Sequence, residues 1–397
     1  MAVLEDGQVR QVGRLRTTPA ALRTFAQRLQ PTDEVVLEAT CNTYAVVQLL
    51  RQFAGRVIVS NPHRTRAIAE AKIKTDKVDA EVLVRLAAGG WLPEVWVPDA
   101  QTQALRQQAA HRVRVVHQRT RLKNRIHAIL HRNLVLGCPR SDLFGKAGRQ
   151  WLVGHALPLL PTHEQAIAQM TLRELDLLDE ELKAVDRALA TCVVERKEIH
   201  RLMTIPGIDL PVAITLIATI GDIRRFRSPT KLVGYVGLDP RVRQSGGRPA
   251  VYGPISKQGQ ASARHMLVQA AWAAVKAPGP LRAFYHRIRA RRGTQIAIVA
   301  TARKLTVLVW YLLARGEDYA FARQFLIGRK LRELERLVGL PARRVRRDLA
   351  GARDIREFRQ RELQLCLQAE RTYQKLTGRW KVRSAKQDAG ATTGVRL

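Results

Sequence analysis

Apolar residues in the first hundred positions follow two different periods. Residues 2–4, 9–15, 35–37 and 57–60 are short β-like runs, and Asp6-Gly7 is a turn signal joining the first two. Between them, residues 20–29 and 44–53 carry apolar side chains at helical spacing. Strands alternating with helices predict an α/β domain built around a mixed sheet. From about 101 to 200, glycine is scarce and the period is helical throughout. Residues 104–134 predict one long basic helix, and residues 170–200 a second of mixed charge, together a helical hairpin or coiled-coil arm. A third region, 201–319, opens on Ile205-Pro-Gly-Ile208 and an apolar helix at 211–220. It then crosses a glycine-rich stretch at 234–259 and returns to helices at 261–275 and 294–314. Residues 320–397 form a basic, helix-prone tail whose end, from 383, reads as disordered. The expected domains are therefore 1–100, 101–200 and 201–319, followed by the tail.

Charge narrows the function. Sixty-eight Lys and Arg stand against 34 Asp and Glu, a net charge of +34, in a chain that is 46% apolar. Such an excess repels itself unless it meets a polyanion, and nucleic acid is the usual one. A membrane is disfavoured: the longest strongly apolar run, 307–314, is far short of the ~20 residues a span needs. No secretory signal is read at the N-terminus. Four scattered cysteines, Cys41, Cys138, Cys192 and Cys366, make no CxxC pair and suit a reducing cytoplasm.

Carboxylates supply the candidate chemistry. Glu38 ends an apolar strand, while Asp76 and Asp79 begin a helix running to about Ala88, with Thr75 as the candidate N-cap. Spacing of i, i+3 puts both aspartates on one helical face. Carboxylates converging from different elements at a sheet end can hold Mg²⁺ for phosphoryl chemistry. The plainer alternative is ordinary: acids favour a helix's first turn, and a Glu after a strand is often a surface turn.

These segments carry a resemblance. Val36-Leu-Glu-Ala-Thr-Cys-Asn-Thr-Tyr44, Ser60-Asn-Pro62 and Lys74-Thr-Asp-Lys-Val-Asp-Ala80 resemble the DEDD-type insertion-sequence transposases, a family related to the Piv-type DNA invertases. The resemblance implies a RuvC-like (ribonuclease-H-like) α/β domain, a helical coiled-coil arm and a helical transposase domain. It makes Glu38, Asp76 and Asp79 the second, third and fourth acids of the motif and Mg²⁺ the cofactor. The family's first acid lies on an opening strand of the form Gly-Ile-Asp-Val, which this sequence does not contain. Asp6, in the hairpin turn, is a poor substitute. Activity of this chain is therefore an open expectation. A RuvC-like nuclease or junction resolvase, and an inactive DNA-binding remnant, stand as alternatives.

The third region resembles the same family's C-terminal domain through Gly237-Leu-Asp-Pro240, Gln244-Ser-Gly246, Ile255-Ser-Lys-Gln-Gly259 and Arg264. The resemblance makes Ser245 a nucleophile that links covalently to DNA. Ser256 is the rival serine, read as structural or DNA-contacting. Lys257 and Arg264 are expected nucleic-acid contacts. So are Arg121, Lys123 and Arg125, on a helix that also carries Arg112, Arg114 and Arg119. Four interleaved histidines, His111, His117, His127 and His131, lack neighbouring acids in sequence and read as part of that surface rather than as metal ligands. Arg287–Arg292 and residues 343–347 read the same way. Ile205-Pro-Gly-Ile208 is either a phosphate-binding helix–hairpin–helix turn or a plain connector. The expected partners are element-end and target DNA, a structured guide RNA as in the family's best-known members, and further copies of the chain in a dimer or tetramer. The expected location is a bacterial cytoplasm, at the nucleoid.

Overall fold

Positive φ at Asp6 (48°) and Gly7 (76°) closes a tight hairpin between β1 (Ala2–Glu5) and β2 (Gln8–Gln11). Two successive positive φ values match the right-handed twist of paired strands, which explains the Asp-Gly choice. The computed structural model describes residues 1–68, 75–246, 249–341 and 352–391. They fall into two compact units, Met1–Asp99 and Ala100–Leu397.

In unit 1, helix α1 (Pro19–Ala26) leads to β3 (Glu34–Glu38), then α2 (Thr43–Leu50), β4 (Arg56–Ser60), α3 (Pro62–Ile68) and α4 (Asp76–Ala88). β3 and β4 pair in parallel, Glu34 opposite Arg56 through Glu38 opposite Ser60. The four strands do not form the single mixed sheet expected: β1–β2 and β3–β4 are separate two-stranded sheets. Packing by α4 on β1, β2 and β3 holds the pairs together instead of strand-to-strand hydrogen bonds.

Among its described residues, the regular structure of unit 2 is helical apart from one hairpin. Its elements are α5 (Ala100–Arg132), α6 (Lys146–Trp151), α7 (Thr162–Val193), α8 (Lys197–Met203), α9 (Leu210–Ile220) and α10 (Pro229–Val236). β5 (Pro240–Arg243), β6 (Val251–Ile255), α11 (Ala261–Ala274), α12 (Pro280–Arg315), α13 (Gln324–Leu337) and α14 (Ala352–Ala391) follow. The helix expected at 170–200 begins earlier, at Thr162, and ends at Val193; α8 is separate. α5 and α7 run antiparallel, as Arg112–Asp186 and Arg132–Glu164 show by pairing early residues of one with late residues of the other. The core lies around α9, buried at every residue from Val212 to Ile220. An element with no exposed side must be apolar nearly all round, and α9 is, apart from Thr215 and Thr219; the Thr215 hydroxyl donates to the Pro211 carbonyl at 2.8 Å. α12 is kinked at Gly293 (φ 79°) and is long and apolar enough to cross a membrane by length and composition. Its Ala297, Ile298, Ala302, Leu305 and Val309 are instead buried in the unit 2 core.

Part of the tail packs on the rest of unit 2. α14 continues to Ala391, through part of the stretch expected to be disordered from 383. It packs on α12, and its buried stripe is Glu362, Cys366 and Glu370, at i, i+4 and i+8. Each glutamate serves the start of another helix. Glu362 accepts from the N–H of Gln324, at the head of α13, at 2.5 Å, and Glu370 accepts from the N–H of Gly279, the N-cap of α12, at 3.1 Å. Helix starts leave N–H groups without intrahelical partners, and a carboxylate there also meets the positive end of the helix dipole. Residues 343–347 lie outside the described residues.

Candidate catalytic and nucleic-acid-binding elements

Glu38 closes β3 and is exposed, in register with Ser60 at the end of β4. The Thr75 hydroxyl accepts from the Val78 N–H at 3.3 Å, so α4 starts at Asp76 as the capping pattern predicts. Asp79 stands one turn in and is half-buried. The Asp76 side chain lies outside the described residues. Hard carboxylate oxygens suit Mg²⁺ better than softer metals. Among the described residues, however, no three His, Cys, Asp or Glu converge as metal donors. Carboxylates such as Glu38 and Asp79 have the donor chemistry a divalent ion takes, and Asp76, whose side chain lies outside the described residues, would be the third of that type.

Ser245 lies on a projecting ribbon. β5 and β6 pair antiparallel, with Pro240 opposite Ile255, Val242 opposite Tyr252 and Arg243 opposite Val251. The register shifts between Pro240 and Val242, a bulge that places Gly253 and Pro254 opposite Arg241. Ser245 follows β5 and is exposed, beside Gly246 with φ 57°. Neither Gly247 nor Arg248 is among the described residues.

The ribbon's base is tightly built. Gly237 ends α10 in the left-handed conformation (φ 77°). Ser256 donates to the Asp239 carboxylate at 2.6 Å while its N–H reaches the Asp239 carbonyl at 2.7 Å. Lys257 adopts φ 54°, unusual for a residue with a side chain. Gly259 passes so close to α10 that a Cβ there would lie 2.3 Å from the Tyr235 carbonyl oxygen. Arg264, expected to contact nucleic acid, donates to the carbonyls of Val236 (2.9 Å) and Lys257 (3.3 Å). It therefore fixes the ribbon's root.

The basic face of α5 divides in two. Arg112 pairs with Asp186 at 2.5 Å, Arg119 with Asp179, and Arg132 with Glu164 at 2.5 Å. The Arg132 hydrogen bond holds the Glu164 carboxyl below its ordinary value. His111 meets Glu181 at 3.0 Å, so acids absent from its own helix arrive from α7. Lys123 sits 4.8 Å from the Phe144 ring centre. Arg114, Arg121 and Arg125 are exposed.

At Ile205-Pro-Gly-Ile208, Gly207 (φ 84°) leaves no room for a Cβ against the Ala270 carbonyl, 2.2 Å away. The turn's carbonyl side is filled from within. The Lys330 ammonium on α13 donates to the carbonyls of Met203 (3.0 Å), Ile205 (3.4 Å) and Ile208 (2.8 Å) and lies 3.3 Å from the Asp209 carboxylate. Burial lowers the Lys330 pKa, and Asp209 offsets part of the effect. Arg106 and Arg225 likewise donate to carbonyls at the end of α9: Arg106 to Ala218 (2.7 Å) and Arg225 to Ile220 (2.8 Å). The turn's carbonyls and the Cβ side of Gly207 are thus packed against protein, while Pro206 and Gly207 keep partial exposure.

Two family models match the chain: a DEDD-type IS110 transposase model over residues 1–133, and the "Transposase IS116/IS110/IS902 family" model over residues 199–286. The chain belongs to the IS110/IS116 family of DEDD transposases. It is 28% identical over 256 residues to the "Transposase for insertion sequence element IS1111A" of Coxiella burnetii, covering 62% of this chain and 68% of that one. It is 25% identical over 292 residues to the "Transposase for insertion sequence element IS1328" of Yersinia enterocolitica, covering 72% and 85%. Transposases of this family bind and process DNA, and the DEDD class implies a divalent metal. The roles of three residues in the architecture of the chain are not legible in the sequence. Asp239 and Tyr252 sit in a glycine-rich stretch with no period, and Lys330 looks like any surface lysine of a basic tail.

Proposed function

We propose that the transposase moves an insertion element by cleaving and exchanging DNA strands, with Ser245 as nucleophile and Glu38, Asp76 and Asp79 as ligands for Mg²⁺. The observation that carries the reading is the position of Ser245: exposed, beside a positive-φ glycine, at the end of a ribbon rooted by Ser256–Asp239 and Arg264. A hydroxyl held there can meet a phosphate with little backbone in the way. In the proposed step a bond forms between the serine oxygen and phosphorus, and the phosphorus–oxygen bond to one sugar breaks. The leaving sugar oxygen takes up a proton to balance the one the serine gives up. A bound divalent ion would supply charge neutralisation at phosphate. A RuvC-like identity for unit 1 and a coiled-coil role for the α5–α7 pair belong to the same proposal. So do a guide RNA on the basic surface and assembly into a dimer or tetramer, since exchange joins several strands.

The test is a covalent protein–DNA adduct, trapped under denaturing conditions on DNA carrying the element's own ends, with and without Mg²⁺. Wild type should form it and Ser245→Ala should not. Cleavage that persists in Ser245→Ala without any adduct would replace this mechanism with metal-dependent hydrolysis.

A further inference from the structure

We propose that Tyr252 and Val242 form a wedge that enters duplex DNA beside the cleaved phosphate and takes a base out of the stack. The proposal deepens the reading of Ser245 above and rests on it for the location of that phosphate. Tyr252 is 71% exposed and Val242 53% exposed, and the two are cross-strand partners on one face of the ribbon. Single exposed apolar residues need no explanation, but a tyrosine and a valine presented together on a projecting hairpin do.

The surrounding chemistry selects the occupant. Residues 240–257 contain Arg241, Arg243, Arg248 and Lys257 and no acid. Arg241 and Arg243 are exposed, and strand alternation puts them on the face opposite Val242, where Val251, the exposed cross-strand partner of Arg243, lies between cations. An apolar face backed by cations suits a polyanion with flat apolar interiors, and a second copy of a +34 chain is a poor match. A two-stranded ribbon is one of the shapes a DNA groove admits. Apolar side chains inserted between base steps unstack them, and aromatic rings then stack on the exposed base. Ser245 is three residues beyond Val242, so at most about 10 Å of chain separates the wedge from the nucleophile. That reach is about three base steps along one strand.

The experiment uses full-length protein carrying Ser245→Ala, so that no chemistry intervenes. The probe is a short mixed-sequence DNA duplex with 2-aminopurine at several adenines, alongside the same sequence as duplex RNA. Binding should raise 2-aminopurine fluorescence on DNA. Tyr252→Ala should abolish the rise and weaken DNA binding about tenfold, the scale of one lost base–aromatic stack. Tyr252→Phe should keep both. Both positions are exposed, so unchanged circular dichroism is expected. The proposal fails if Tyr252→Ala leaves the fluorescence rise intact. It also fails if the effect is confined to RNA, or if the variant alters self-association rather than DNA binding. Loss of the Ser245 adduct mechanism would leave the fluorescence result standing, so the two readings fail separately.

Discussion

Glu370 on α14 and Arg282 on α12 meet in a two-pronged pair: Oε1 accepts from Nε at 3.0 Å and Oε2 from Nη2 at 2.7 Å. The same carboxylate takes the Gly279 N–H, so one side chain closes the start of α12 and ties the C-terminal helix to it. Burial works against the charge. The Arg282 hydrogen bonds, the Gly279 N–H and the guanidinium charge together outweigh it and hold the Glu370 pKa below its ordinary value.

Replacing Glu370 should therefore loosen the tail's attachment. Glu370→Ala leaves a half-buried guanidinium and a helix start without their acceptor, a loss of about 2–3 kcal/mol. Because the folded-state pKa is depressed, the wild-type pair contributes fully above the ordinary carboxylate pKa and is lost as pH falls through the lower folded value. Urea denaturation of wild type and Glu370→Gln across the acid range should show the two curves converging at low pH. Parallel curves would mean that the pair does not link titration to folding.

Lys330→Met should strip the turn at 205–208 of its internal cation. Carbonyls of Met203, Ile205 and Ile208 would lose a charged donor in a buried place, costing about 2–3 kcal/mol. Thermal unfolding measures the loss. Nucleic-acid affinity measured below the variant's melting point should stay within about twofold, because the Lys330 ammonium is committed to carbonyls inside the protein.

The two serines should separate cleanly. Ser256→Ala removes the hydrogen bond to Asp239 and should lower stability by about 1 kcal/mol while adduct formation persists. Ser245→Ala should leave stability unchanged and abolish the adduct. The opposite assignment would show as an adduct lost with Ser256 and retained without Ser245.

How much of this is legible in the sequence depends on whether the signal is local. Asp6-Gly7 and Thr75 act on their own neighbours, and both do what their type dictates. Glu38 ends its strand because an apolar run ends there. The hairpin carrying Ser245 is unreadable in advance: with both faces in solvent it has no alternation to betray it. Arg112 and Arg119 look like phosphate contacts in a one-sided basic run, yet their partners, Asp186 and Asp179, come from a different helix. Glu362 and Glu370 look like solvated acids in a basic tail, since the N–H groups they serve lie 38 and 91 residues upstream.

That division of α5 makes a further prediction. Arg121→Ala and Arg125→Ala should weaken nucleic-acid binding and reduce the slope of log affinity against log salt by about one each, with unchanged melting. Arg112→Ala should do the reverse, lowering stability and leaving the slope alone, because its charge is already committed to Asp186. Equal slopes for all three variants would show that α5 does not track phosphates.

The capping of α12 and α13 by α14 has a consequence for synthesis. Gly279 and Gln324 emerge from the ribosome well before Glu370 and Glu362, the acceptors that serve their N–H groups. During that interval both helix starts must borrow water, and unit 2 cannot reach its final packing. A nascent transposase is therefore incomplete until translation has passed Glu370. Messages cut short before that point yield chains that contain Ser245 and every candidate carboxylate but lack the residues that finish unit 2.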